Sequence, residues 1–163
     1  MKNLKMCRVI DTNVLIVANN RESEHASPKC IISCIRWLQN FEKSGILVID
    51  SKWLIINEYK KKVNQSGQPG VGDAFLKWIL INRNNPQRCQ QVQITQIDEN
   101  NFAEFPRSSN LEKFDPNDRK FVAVSLTHPA KPAIAIAIDR GWNRHQKPLY
   151  EHGIEVEFLC LQN

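Results

Sequence analysis

The chain has 163 residues, enough for one domain with a sizeable core, and its 42% hydrophobic and 24% charged composition excludes a disordered chain. Its apolar runs fall short of the ~20 residues a membrane helix needs, and Met1-Lys2-Asn3-Leu4-Lys5 leads into a strand-like run without a signal-peptide segment. A cytoplasmic protein without a membrane partner is therefore expected, and a net charge of +5 with a pI of about 9.0 favours a polyanionic partner such as nucleic acid.

Residues 6–10 read as a short buried strand that passes through Asp11-Thr12-Asn13 into a helix over roughly 14–19. A polar loop at 19–25 follows. Ser27 before Pro28 is a helix start, because Ser caps and Pro at the first helical position loses nothing by lacking its N–H. Ile31, Ile35, Leu38 and Phe41 then recur at helical spacing up to Gly45. Ile46 to Ile49 is a second strand ending at Asp50. Ser51 is placed to cap the next helix, whose stripe is Trp53, Ile56, Tyr59 and Val63, with Glu58 inside it.

After a break at 67–72, Phe75, Leu76, Ile79 and Leu80 mark another helix, closed by Asn84-Asn85-Pro86. Residues 92–94 suggest a weak strand, and Asp98 a cap for a short helix carrying Phe102. Asp115-Pro116 opens a helix that runs to His128-Pro129. Ile134 to Ile138 is a strand ending on Asp139; a short helix falls within 140–152, and Ile154 to Leu159 is the last strand. Strands alternating with helical patterns along the whole length imply βαβ units and a parallel, helix-covered sheet.

Two strands of one sheet that each end in an aspartate, Asp11 and Asp139, bring two negative charges to the same rim. Open α/β sheets place their ligands at that rim. Like charges held close need a cation or a proton between them. Asp118, in the first turn of the helix leading to the Asp139 strand, and Glu58, in the helix after the second strand, add two more acids. Carboxylates suit hard divalent cations such as Mg²⁺ and Mn²⁺, which can activate water beside a phosphate. Each acid also has a structural reading: Asp11, Asp115 and Asp118 as helix caps, Asp139 as a turn residue, and Glu58 as half of a surface ion pair.

The chain resembles a PIN-domain ribonuclease, of the kind found among bacterial toxin nucleases. The resemblance rests on Val9-Ile10-Asp11-Thr12-Asn13 with Leu15, on Ile56-Asn57-Glu58-Tyr59, on Asp118-Arg119-Lys120-Phe121-Val122-Ala123-Val124 and on Ile136-Ala137-Ile138-Asp139-Arg140. It spans nearly the whole chain, residues 1–163, as a single domain. It implies a three-layer α/β/α sandwich with a central parallel sheet, one or two Mg²⁺ or Mn²⁺ ions, and hydrolysis of single-stranded or loop RNA. Asp11, Glu58, Asp118 and Asp139 would form the acid cluster, with Asn13 or Thr12 in support. An antitoxin protein and a homodimer are the partners such a toxin would have. The family often has Ser or Thr where Ala137 stands and an acid where Gly141 stands; both departures bear on a second metal.

Arg140, Trp142 and Arg144 cluster beside Asp139, and Arg119 follows Asp118; these are the expected RNA contacts, by charge and by base stacking. Lys60, Lys61, Lys62, Lys120 and Lys147 also lie near an acid in sequence. The alternative is a PIN-like module that binds RNA or a protein with little or no turnover. A phosphotransfer domain with Asp11 as nucleophile usually carries a second Asp where Asn13 stands. No phosphate-binding Gly loop and no Gly-x-Ser-x-Gly are present. The five cysteines form no CxxC pair. Cys30 and Cys34 share a helical face, with His25 the one soft ligand near them in sequence. Free, reduced thiols are expected throughout.

Overall fold

The computed structural model describes residues 6–20, 26–63 and 69–162; residues 21–25 of the predicted polar loop, with His25, and 67–68 of the predicted break lie outside them. Strand β1 (Cys7–Ile10) runs through Asp11 into helix α1 (Thr12–Ala18). Helix α2 (Pro28–Ser44) starts as its residues predict: the Ser27 hydroxyl accepts from the Cys30 N–H at 3.1 Å, and Pro28 opens the first turn. Strand β2 (Ile46–Asp50), helix α3 (Leu54–Lys62), helix α4 (Val71–Asn82) and strand β3 (Cys89–Val92) follow.

The central sheet has five strands, all parallel, in the order β3-β2-β1-β6-β7, where β6 is Ala133–Ile136 and β7 is Val156–Phe158. The chain winds outward from β1 in one direction through β2 and β3, and in the other through β6 and β7. Right-handed crossovers therefore put the helices of the two halves on opposite faces. In agreement, α1, α2 and α4 pack on one another, while α5 (Arg119–Thr127) lies on β1, β2 and β6. Both faces are covered, so the central strands are continuously apolar: Val9, Ile10, Leu47, Val48, Ile49, Ile134, Ala135 and Ile136 are fully buried. The expected α/β class with a parallel sheet is present.

Packing on the first face sets the position of α1. The rings of Phe41 and Phe75 meet edge-on at 6.1 Å, with Trp37 and Trp78 stacked outside them. A β-carbon at Gly72 would lie 2.0 Å from the Leu15 carbonyl oxygen, so only glycine lets α4 approach α1 this closely.

Several local expectations are corrected. The segment around Asp98 is a hairpin, β4 (Gln96–Asp98) and β5 (Asn101–Phe102), not a capped helix; Asp98 accepts from the Asn100 N–H and the Asn101 amide inside the turn. The third strand lies at Cys89–Val92 rather than at 92–94. The sixth strand ends at Ile136, so Asp139 sits in the turn beyond it and caps α6 (Arg140–Arg144), which is followed by α7 (Gln146–Glu151). Asp50, fully buried, caps α3 in place of Ser51, accepting from the N–H groups of Leu54 (2.8 Å) and Ile55 (3.0 Å). It reaches past Trp53, whose φ of +65° bends the chain into the helix.

The cysteine expectation is corrected as well: Cys30 and Cys160 form a disulfide, with Cα atoms 5.1 Å apart. Sequence spacing gives no hint of a pairing across 130 residues; the fold makes it by bringing the segment after β7 beside the first turn of α2. Cys7, Cys34 and Cys89 are free. Such bridges are rare in a reducing cytoplasm. Among the described residues, no helix is long and apolar enough to cross a membrane.

Two substitutions test the corrected cap. Asp50→Ala strips two N–H groups of their acceptor and should lower unfolding stability by about 1–3 kcal/mol in urea melts, while Ser51→Ala should stay within about 0.5 kcal/mol of wild type.

Candidate active site

The sheet changes winding direction between β1 and β6, and Asp11 lies there. Its N–H donates to the Ala135 carbonyl across the switch point at 3.0 Å. The next residues start α1, so Asp11 is also its cap, accepting from the Asn13 N–H at 3.3 Å. Tyr59, fully buried on α3, donates its hydroxyl to the Ile10 carbonyl and anchors the residue before Asp11. Burial, and then the negative charges of Asp11 and Glu58, raise the Tyr59 pKa, so this phenol keeps its proton.

A groove of about 630 Å³ opens over this point, and Asp11, Glu58, Asp118 and Asp139 all line it. Four acids from four places in the sequence are thus brought to one site at the carboxyl edge of the sheet. Asp11 is almost entirely buried. Desolvation raises its pKa well above the usual carboxylate range, and repulsion from Asp118, Asp139 and Glu58 pushes the same way. Asp118 is pushed up to about 7, by burial first and then by the charges of Asp115 and Asp139, against a lowering pull from Lys120.

The cap readings now separate. Asp115 accepts from the Asn117 N–H at 3.0 Å and caps the 3-10 turn Pro116–Asp118. Asp118 stands at the start of α5 and makes no capping hydrogen bond with its side chain. Asp139 does cap, accepting from the Gly141 N–H (2.7 Å) and the Trp142 N–H (3.3 Å), both at the same oxygen, Oδ1.

Glu58 has both carboxylate oxygens engaged. The Thr12 hydroxyl donates to its Oε2, and the Lys120 ammonium donates to its Oε1 at 2.8 Å in an ion pair whose side chains are only 12% and 24% exposed. Lys120 also donates to the Asn117 carbonyl, which fixes it over the groove. It is therefore an internal counter-cation for one of the four acids. Thr12 thus bonds one of the four acids, and Asn13 lines the groove beside it.

The expected RNA contacts fare differently. Trp142 is fully buried, its ring edge-on to Phe114 at 4.9 Å, so the base-stacking role is corrected: it is core. The Arg119 guanidinium donates to the Asn101 side chain (2.6 Å) and to the Glu112 and Phe114 carbonyls, and lies over the Phe105 ring; it braces the loop before α5 and lines a neighbouring groove, not the acid one. Arg140 and Arg144 are exposed but do not line the acid groove. Lys61 and Lys62 do, together with Gln96, Glu99 and Asn100 of the β4–β5 hairpin. Sequence reasoning missed the hairpin's contribution; the turn-forming run Asp98-Glu99-Asn100-Asn101 was the signal available. It also missed Gln162, whose side-chain oxygen accepts from the Asp139 N–H at 3.2 Å and whose amide donates to the Ala137 carbonyl at 3.0 Å.

The groove is lined by carboxylate, hydroxyl and amide groups together with the ammonium groups of Lys61, Lys62 and Lys120. Comparison with known proteins finds no matching family model, no matching curated protein and no matching solved structure.

Asp118 and Asp11 contribute a downward slope to the pH dependence of stability without added metal. The folded pKa of Asp118 lies above its unfolded value, so between pH of about 4 and 7 the folded chain holds a proton that the unfolded chain has released. Stability should therefore fall as pH rises through this window, and Asp11, also raised, adds in the same direction. Thermal melts in EDTA should show a Tm several degrees lower at pH 8 than at pH 5, with part of that slope removed in Asp118→Asn.

Proposed function

We propose that this chain is a PIN-like, metal-dependent ribonuclease that cuts single-stranded or loop RNA, with Mg²⁺ or Mn²⁺ held by Asp11, Asp118 and Asp139 and with Glu58 completing the cluster. One observation carries this reading: four carboxylates converge in one groove at the topological switch point of a parallel sheet. Carboxylate oxygens suit a hard divalent cation, and such a cation would relieve the burial and mutual repulsion that raise the pKa values of Asp11 and Asp118.

The bound ion would supply charge for a phosphate oxygen and acidify a water. This chain's own residues supply the rest. The β1–β6 pairing and the Tyr59 anchor hold Asp11 rigidly at the rim. The Thr12 hydroxyl and the Lys120 ammonium orient Glu58. Lys61 and Lys62, exposed along the α3 wall, offer cations to the RNA backbone, a salt-sensitive contribution. Four acids line the groove with lysines beside them, and an unpaired strand, whose backbone can bend around such a site, is the substrate we propose.

A second reading is a PIN-like module that binds RNA or protein without turnover. The Glu58–Lys120 pair favours it, because both oxygens of one acid already have protein partners. Cleavage separates the two. Wild type with Mg²⁺ or Mn²⁺ should cut single-stranded RNA and stop in EDTA. Asp11→Asn and Asp118→Asn should lose activity by orders of magnitude while still melting cooperatively. Asp115→Asn should keep most of it, since Asn caps nearly as well as Asp. Absence of metal-dependent cleavage in wild type, or full activity in Asp11→Asn, would favour the binding module.

A further inference from the structure

A second cluster, of different chemistry, lies at the first turn of α2. The sulfurs of Cys30, Cys34 and Cys160 all lie within 4.8 Å of one another. Cys30 and Cys34 are one helical turn apart and project from the same face; Cys160 comes to them from the segment after β7. The geometry points to a redox-convertible site: bridged between Cys30 and Cys160 in oxidising surroundings, and a three-thiolate site for a thiophilic divalent cation of the zinc class in reducing ones. This inference is independent of the nuclease reading.

Spacing supports it. Zinc–sulfur bonds of ~2.3 Å hold coordinated sulfurs roughly 3.8–4.0 Å apart. The Cys34 and Cys160 sulfurs are already 3.9 Å apart. Cys34 is fully buried, and desolvation pushes its thiol up to about 12, so alone it is a poor nucleophile and leaves the neighbouring bridge intact. Coordination reverses that, because a bound cation deprotonates a coordinating thiol outright. Cys30 lies in the first turn of a 17-residue helix, where the helix dipole favours a thiolate. Cys160 is only partly buried, which leaves a solvent-facing side for a fourth ligand such as water.

The steps balance. A thiol reductant, one dithiol or two monothiols, takes up the bridge as its own disulfide and leaves two cysteine thiols. Binding of the divalent ion to the three thiols then releases three protons. Either state ties down Cys160, two residues before the Gln162 that holds the Asp139 N–H.

Co²⁺ is the probe. The full chain, reduced with a dithiol and freed of it under anaerobic conditions, should bind one Co²⁺ with a thiolate charge-transfer band in the near ultraviolet. Zn²⁺ should displace it. The unreduced chain should show no such band and should have three free thiols after denaturation, against five when reduced. Cys34→Ser and Cys160→Ser, each checked for a cooperative melt, should lose or sharply weaken the band; Cys89→Ser and Asp11→Asn should keep it. Co²⁺ held by the acid groove gives no thiolate band, so failure here leaves the nuclease reading standing. A reduced, folded wild type without the band, or a band undiminished in Cys34→Ser, would overturn the proposal.

Discussion

The burial of several acids together at the rim of the sheet, with desolvation as the larger cost and like-charge repulsion added to it, is the constraint around which the structure is arranged. Ionised carboxylates facing one another in a groove repel, and a whole domain is stable by only about 5–15 kcal/mol. Four ionised carboxylates in one groove therefore cannot be left uncompensated. The chain answers in three ways. Backbone N–H groups bond Asp11 and Asp139, Lys120 pairs with Glu58, and burial raises the pKa values of Asp11 and Asp118 toward their neutral forms.

The remaining repulsion is tolerated because the scaffold is stiff. Asp11 is pinned between two central parallel strands whose side chains are buried on both faces, and its neighbours are tied to α3 by Tyr59 and to α5 by the Thr12–Glu58–Lys120 chain of bonds. A cluster this costly is kept in place by long-range packing, with α4 pressed onto α1 at Gly72. Such concentrations of perturbed acids occur where proteins bind cations or perform acid–base chemistry. The sulfur cluster on α2 contrasts with it: soft donors, a buried neutral thiol, and a bridge in place of a charge problem.

The site's framework was legible because its signals are local. A buried run ending in Asp11, a second before Asp139, and the Ser27-Pro28 start with its Gly45 stop are patterns of a few residues with one dominant physical cause each. What was illegible depends on chain segments meeting. Asp50 outcompetes Ser51 as the α3 cap because it is buried at the strand end, which adjacency in sequence does not show. Trp142 is core because Phe114 packs on it, although its neighbours Arg140 and Arg144 are exposed. The Cys30–Cys160 bridge and the Glu58–Lys120 pair join residues 130 and 62 apart. The β4–β5 hairpin looked helical because a capping Asp and a turn Asp have the same composition around them.

The most direct test of a cation site among these acids is anomalous X-ray scattering at the manganese edge from crystals of the full chain soaked in Mn²⁺. A peak in the groove, about 2.2 Å from oxygens of Asp11 and of Asp118 or Asp139, is the expected result. Ordered density for all four acids with no anomalous peak among them, at a Mn²⁺ concentration that saturates ordinary carboxylate sites, would contradict it.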